Sequence, residues 1–327
     1  MALQEEAVGR RDALARLARA GAAGAGVTGL GVWLASRSRR PEEPPAVSVQ
    51  RAHTVPEDPS LPSLAVIQGE DPRGLLRRAV TELGGIRRFI SRGDVVVIKP
   101  NVSWDRTPEQ AANTNPLVVA EMVRLCVEAG ARSVVVTDAS INEPHRSFQR
   151  SGIGEAARQA GGEVVLPEER KFRRVDLHGD LLRVWPVLEP FLAADKVINL
   201  PVAKHHSLTG VTLGFKGWYG ILGGQRQRLH QRIHESLADL GDFMRPTLTV
   251  IDGYRVLLRN GPGGGNLEDV ALKKTLMAGT DPVALDACAA KTWWNLGVED
   301  LLYLQLAARR GLGNPQFESL KTSMVTL

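Results

Sequence analysis

Val95-Val96-Val97-Ile98-Lys99-Pro100-Asn101 is the stretch that decides the fold. Four consecutive β-branched residues without polar alternation read as a strand buried on both faces, as in the middle of a parallel sheet. The run stops on an ammonium, a proline and an amide. Asn115-Pro116 then opens a helix, with Asn115 as N-cap and Pro116 at the first helical position. That helix runs to Gly130, and a second buried strand over 133–137 ends at Asp138.

The same alternation extends in both directions. Further strands are predicted at 64–68, 163–166, 196–200, 247–251 and 272–278. Helices are predicted at 72–92, 147–160, 226–244, 282–296 and 299–310, with a weaker one over 211–222. A hairpin over 175–187, turning at Gly179-Asp180, interrupts the pattern. The sequence therefore predicts an α/β fold: a mostly parallel sheet with helices on both faces, plus a small hairpin insertion. No internal repeat is present.

The 327 residues divide into three stretches. Residues 1–45 read as a targeting segment. Arg10-Arg11 precedes a weakly apolar run over 20–35 that holds Gly21, Gly24, Gly26, Gly29 and Gly31, and Arg37, Arg39 and Arg40 follow. This is the layout of a twin-arginine signal, which implies export of the folded chain through the twin-arginine machinery to the periplasm or another extracytoplasmic space. The run is shorter and less apolar than the roughly 20 residues a spanning helix needs. No clean Ala-x-Ala site follows it, so retention as a membrane tether stays open. Residues 41–62 are rich in Pro, Glu and Ser; 46–62 read as a linker, and 63–327 as the α/β domain.

The net charge of +5 is spread along the chain without an aromatic–basic stripe, which argues against nucleic-acid binding. Two cysteines, Cys126 and Cys288, are too few for a disulfide scaffold or a cysteine-ligated iron–sulfur cluster.

In a parallel sheet the functional crevice lies outside the carboxyl ends of the strands. Five predicted strands end in polar groups: Lys99 with Asn101, Asp138, Lys204-His205-His206, Asp252 and Asp281. Read alone, Asp138 and Asp281 are ordinary helix caps; read together, the five predict one shared crevice. Adjacent histidines on an extended chain point to opposite sides, so one of His205 and His206 should face it. Thr209 lies in the same polar segment. His230 and His234, four apart on a predicted helix, share a face that Asp239 approaches, a spacing suited to a divalent metal.

These residues resemble the family of domain of unknown function 362 (DUF362). The resemblance rests on Val97-Ile98-Lys99-Pro100-Asn101, Thr114-Asn115-Pro116, the run from Asn199 to Thr212, Lys216, Leu229-His230, Ala238-Asp239-Leu240, Val250-Ile251-Asp252-Gly253, Gly261-Pro262, and the run from Thr280 to Ala287. It spans about residues 64–315. The family often has Lys-Thr-His where this chain has Lys204-His205-His206, which makes His206 the matching histidine. It commonly has Asn where this chain has Gly217. The cysteine clusters of some members are missing here.

The resemblance implies a fold and a set of positions, not a reaction. Lys99, Lys204, Lys216 and Asp252 are the candidate catalytic residues, the lysines holding an anion by charge-assisted hydrogen bonds. Asn101, Asp138, Thr209 and Asp281 are candidate cofactor-binding positions. His206, His230, His234 and Asp239 are candidate ligands of a divalent metal. The expected function is a metal-assisted enzyme acting on a small anionic molecule. The alternative is a periplasmic metal- or ligand-binding protein, or an accessory protein for an exported redox enzyme.

Replacing Arg10 and Arg11 by lysine is expected to block export, read by cell fractionation. Undiminished export would show that the N-terminal segment is not a twin-arginine signal.

Overall fold

The computed structural model describes residues 14–15, 18–19, 45–48 and 52–327. The paired arginines and the apolar run of the leader lie outside the described residues. Among the described residues no helix is long and apolar enough to cross a membrane.

Residues Ala46–Leu327 form one compact unit. Its main sheet begins with β2 (Leu64–Gln68), β3 (Val95–Pro100), β4 (Ser133–Val136) and β5 (Glu163–Val164). It continues with β8 (Lys196–Leu200), β11 (Leu248–Leu257), β12 (Val270–Gly279) and β13 (Thr322–Thr326). The spatial order is β13-β2-β12-β11-β8-β3-β4-β5. Strands β11, β8, β3, β4 and β5 are mutually parallel, and β12 runs antiparallel to both β11 and β2.

The β-branched runs bury both sides of this sheet, as period 2 requires. Val97, Val197, Ile251 and Met277 enter one core, whereas Val96, Ile98, Ile198, Val250 and Leu276 enter the other. Helices α1 (Pro72–Glu82), α2 (Pro116–Ala129), α3 (Pro144–Arg150) and α4 (Ile153–Gln159) cover the second face with Leu75, Leu76, Val119, Met122, Phe148 and Ile153, and the short α5 (Glu189–Ala193) precedes β8. Helices α7 (Ile233–Phe243), α8 (Pro282–Trp294) and α9 (Leu302–Arg309) cover the first with Leu237, Leu285 and Leu304. Cys126 belongs to one core and Cys288 to the other, both as free thiols.

The hairpin is β6 (Phe172–Asp176) and β7 (Val184–Leu188), which form a three-stranded sheet with β1 (Val47–Ser48). The stretch expected to be a linker is therefore partly structural. Val47 pairs with Val175, and His53 is buried with its N–H donating to the Arg245 carbonyl at 3.1 Å. The other departure from expectation is a long hairpin. Residues predicted as two short strands, 247–251 and 272–278, form ten-residue strands β11 and β12 joined across residues 258–269.

Ile198→Ala is expected to destabilise the chain by about 2–5 kcal/mol in urea unfolding, because the side chain is fully buried between helices and sheet. A loss well below about 1 kcal/mol would mean that this layer is not packed as described.

Candidate functional site

Strand order locates the crevice. From β3 the chain moves outward to β4 and β5, then returns to place β8 on the other side of β3 and β11 beyond it. The reversal lies between β3 and β8, and ligands of open α/β sheets bind at such a switch point. After Leu200 and Pro201 the chain continues as β9 (Val202–His206), which pairs antiparallel with β10 (Gly210–Thr212). The segment expected to be a strand-end loop is thus a small hairpin. A one-turn helix, α6 (Gly214–Gly217), and two 3₁₀ segments, Trp218–Ile221 and Arg226–Arg232, fold back over the strand ends.

The floor is an ion pair. Lys99 Nζ donates to Asp138 Oδ1 at 2.8 Å and to the Pro100 carbonyl at 3.1 Å, while the Val102 N–H donates to Asp138 Oδ2 at 2.7 Å. Both side chains are 1% exposed. Burial lowers the Lys99 pKa, and Asp138 opposes that shift. The chain over this pair passes so closely that a Cβ on Gly220 would lie 1.7 Å from Asp138 Oδ1. Arg226 fixes the crossing: its guanidinium donates to the carbonyls of Ala139 at 2.7 Å and Tyr219 at 3.1 Å.

Above the pair lies a cavity of about 440 Å³, lined by Asn101, Lys204, His206, Thr212, Lys216, Tyr219, Arg226 and His230, with Trp104, Ile141 and Pro262 as apolar wall. Lys204 Nζ donates to Asn101 Oδ1 at 3.1 Å and to the Ala112 carbonyl at 2.6 Å. Burial holds its pKa well below the usual lysine range, and Lys216 and Lys99 push the same way. Lys216 has no hydrogen-bond acceptor among the described residues; its Nζ sits 4.2 Å from the Tyr219 ring centroid. Burial, then Arg226 and Lys99, brings its pKa down to about 7. Thr212 is buried and its Oγ1 has no partner among the described residues. No carboxylate lines the cavity among the described residues.

The two cavity histidines hold opposite tautomers. His206 Nδ1 accepts the N–H of Leu208 at 3.1 Å and of Thr209 at 3.4 Å, so the neutral ring carries its proton on Nε2. Burial, then Lys216 and Lys204, takes its pKa down to about 3 and keeps it neutral. His230 Nδ1 lies 3.0 Å from the Gln227 carbonyl and must donate to it, which leaves the Nε2 lone pair free. Burial also lowers the His230 pKa, as does Lys216.

Asn101, Lys204, His206, Lys216 and His230 thus line one crevice, with the Lys99–Asp138 pair beneath it, and the remaining candidates stand apart. Asp252 is not at a strand end, because β11 continues to Leu257. Its carboxylate accepts the N–H groups of Asn115 at 2.7 Å and Tyr254 at 3.0 Å, and burial raises its pKa to about 6. Asp281 follows β12, which runs antiparallel, so it lies at the opposite edge of the sheet and caps α8 through the Ala284 N–H. Asp239 holds the Leu181 and Leu182 N–H groups, each at 2.8 Å, and the Arg310 guanidinium. His234 does not share a face with His230, because a 3₁₀ segment runs to Arg232 and the α-helix starts at Ile233. Thr209 Oγ1 donates to the Val211 carbonyl within the hairpin turn. His205 points away, accepting the Gly261 N–H at 3.2 Å.

The donor set does not suit a metal cation. His206 Nε2 carries a proton and has no lone pair to give, and cations rather than carboxylates surround the two imidazoles. Among the described residues no three His, Cys, Asp or Glu side chains come together in a group that could hold an ion.

Sequence reasoning missed Thr212, Tyr219, Arg226 and Asp286. Asp286 is fully buried and accepts the N–H groups of Gly214 at 2.8 Å and Phe215 at 3.1 Å, anchoring the helix that carries Lys216; burial raises its pKa to about 7. One signal was present: the many glycines between 210 and 224 mark a chain that wraps something closely. At Gly220 the wrapped object is the Lys99–Asp138 pair.

A family model described as "Domain of unknown function (DUF362)" matches residues 96–291. A thylakoid-associated protein of Synechocystis is 27% identical over 219 residues, covering 64% of this chain and 66% of that protein. A Thermotoga maritima protein of known crystal structure aligns with 73% of this chain and 58% of its own at 14% identity and a TM-score of 0.37. The lactate racemase apoprotein of Thermoanaerobacterium thermosaccharolyticum aligns with 62% of this chain and 55% of its own at 11% identity and a TM-score of 0.35. The chain spans less than three-fifths of either solved chain.

Gly220→Ala is expected to lower the melting temperature by several degrees, since displacing the crossing or the ion pair costs roughly 1–3 kcal/mol or more. An unchanged melting curve would show that the crossing is not as tight as described.

Proposed function

We propose that this chain, which belongs to the family described as "Domain of unknown function (DUF362)", binds a small organic anion in its lysine-walled cavity and moves a proton on it. The observation that carries this reading is the charge imbalance. Lys204, Lys216 and Arg226 line the cavity with no carboxylate among its described lining residues, and the Lys99 beneath it is already paired with Asp138. A bound anion supplies the missing negative charge at a place where water does not screen it.

Each residue has a role that follows from its bonds. Lys204 and Asn101, already held to each other, orient the anion; the Asn101 amide nitrogen and the His206 Nε2–H are donors left for it. Lys216 is able to take up or release a proton near neutral pH, and His230 Nε2 offers a lone pair that can accept one. Trp104, Ile141 and Pro262 accommodate the carbon part of the ligand. An exported, extracytoplasmic site of action is supported by the twin-arginine pattern at Arg10-Arg11 and agrees with the thylakoid association of the cyanobacterial relative.

Calorimetric titration of the full chain with oxalate and with phosphate tests the reading. A carboxylate or phosphate is expected to bind and to take up a proton at mildly alkaline pH, because the anion raises the pKa of Lys216 from about 7 toward its ordinary value. The uptake appears as a heat that depends on the buffer. Lys204→Met should weaken binding by about tenfold or more. Absence of binding at millimolar anion, or equal affinity in the folded Lys204→Met variant, would overturn the assignment.

A further inference from the structure

We propose that Lys216 is a nucleophile whose amine forms an imine with the carbonyl carbon of a 2-oxo carboxylate held in this cavity. The inference rests on the anion-site reading above and names its substrate class.

Hydrogen bonding separates the three lysines. Lys99 is committed to Asp138 and the Pro100 carbonyl beneath the cavity, and Lys204 to Asn101 and the Ala112 carbonyl in its wall. Lys216 has no acceptor among the described residues, and its Nζ borders the cavity over the Tyr219 ring. An ammonium there is surrounded by other cations, and burial disfavours its charge, so a sizeable fraction carries a free lone pair near neutral pH. That lone pair is what attack on a carbonyl requires.

The other walls complement the rest of such a substrate. The Asn101 amide nitrogen, the His206 Nε2–H and the unpartnered hydroxyl of Thr212 are uncommitted donors for a carboxylate and a carbonyl oxygen. His230 Nε2 is the neighbouring acceptor that can relay a proton.

The step balances without an outside oxidant or reductant. The neutral amine adds to the carbonyl carbon, forming the C–N bond, and the oxygen gains a proton. The carbinolamine then loses that oxygen as water, which carries off one amine hydrogen and the proton that Lys216 first gave up to His230 Nε2, so the second amine hydrogen stays on the imine nitrogen. A protonated imine keeps a positive charge beside the carboxylate, so the electrostatic fit survives the reaction.

The full chain treated with pyruvate and sodium cyanoborohydride at neutral pH, followed by intact-mass analysis and peptide mapping, decides the matter. We expect one reduced pyruvate per chain on the peptide containing Lys216, lost in Lys216→Arg and suppressed by excess oxalate. If Lys216→Arg does not fold, oxalate protection and the wild-type peptide map still locate the adduct. No adduct, with pyruvate binding intact by calorimetry, overturns the imine and leaves the anion site standing. Adducts spread over exposed lysines and undiminished in Lys216→Arg overturn it equally. Neither adduct nor binding overturns both readings.

Discussion

The buried Lys99–Asp138 pair is the interaction on which the rest of the site depends. Each charge is costly to remove from water, and each is tolerable because the other is at hydrogen-bond distance, the Val102 N–H donates to the second carboxylate oxygen, and the Pro100 carbonyl accepts from the ammonium. Removing one partner from such a pair typically costs about 3–5 kcal/mol, because the survivor is left uncompensated. The pair also joins the ends of β3 and β4, and Gly220 lies against it. The crossing segment therefore has one place to lie, and Arg226 holds it there through carbonyls on both sides. Lys216 and His230 are carried by the chain on either side of that crossing.

The second determinant is an asymmetry of charge. Three buried carboxylates are engaged elsewhere: Asp138 by Lys99 and Val102, Asp252 by the backbone at Asn115 and Tyr254, Asp286 by the start of the helix bearing Lys216. What remains facing the cavity is cationic or a hydrogen-bond donor, apart from the imidazole of His230. Burial first, and then the neighbouring cations, depress the pKa of Lys216 and His206, and those cations disfavour a metal cation between the two imidazoles. Two histidines that look alike in sequence have opposite chemistry, because a turn N–H meets one Nδ1 and a carbonyl meets the other.

Several site residues were legible because a β-branched run that stops on a polar residue marks the carboxyl end of a buried strand. Lys99, Asn101, Asp138 and Lys204 were found that way. The same rule misplaced Asp281 and Asp252. It holds for parallel strands, whereas β12 runs antiparallel and carries its far end to the other edge. In β11 the pairing with β12 extends the strand past Asp252. His230 and His234 fit a helical spacing, but the chain there is 3₁₀ up to Arg232, with about three residues per turn, so the four-residue period does not bring them together.

By itself the sequence determined the local events: which runs bury on both faces, where helices are capped by Asn115 and Asp281, that a hairpin interrupts the alternation, and that residues 210–224 pass close to something. Each follows from the chemistry of neighbouring residues, where period and side-chain type suffice. Tertiary structure alone decided strand order and direction, and hence which polar ends meet. It alone assigned Asp252, Asp286 and Asp239 to backbone N–H groups, set the two histidine tautomers, and left Lys216 without an acceptor among the described residues. These depend on partners far apart in the chain, and an aspartate, a histidine or a lysine is the same letter whether its partner is a distant backbone group or an open cavity.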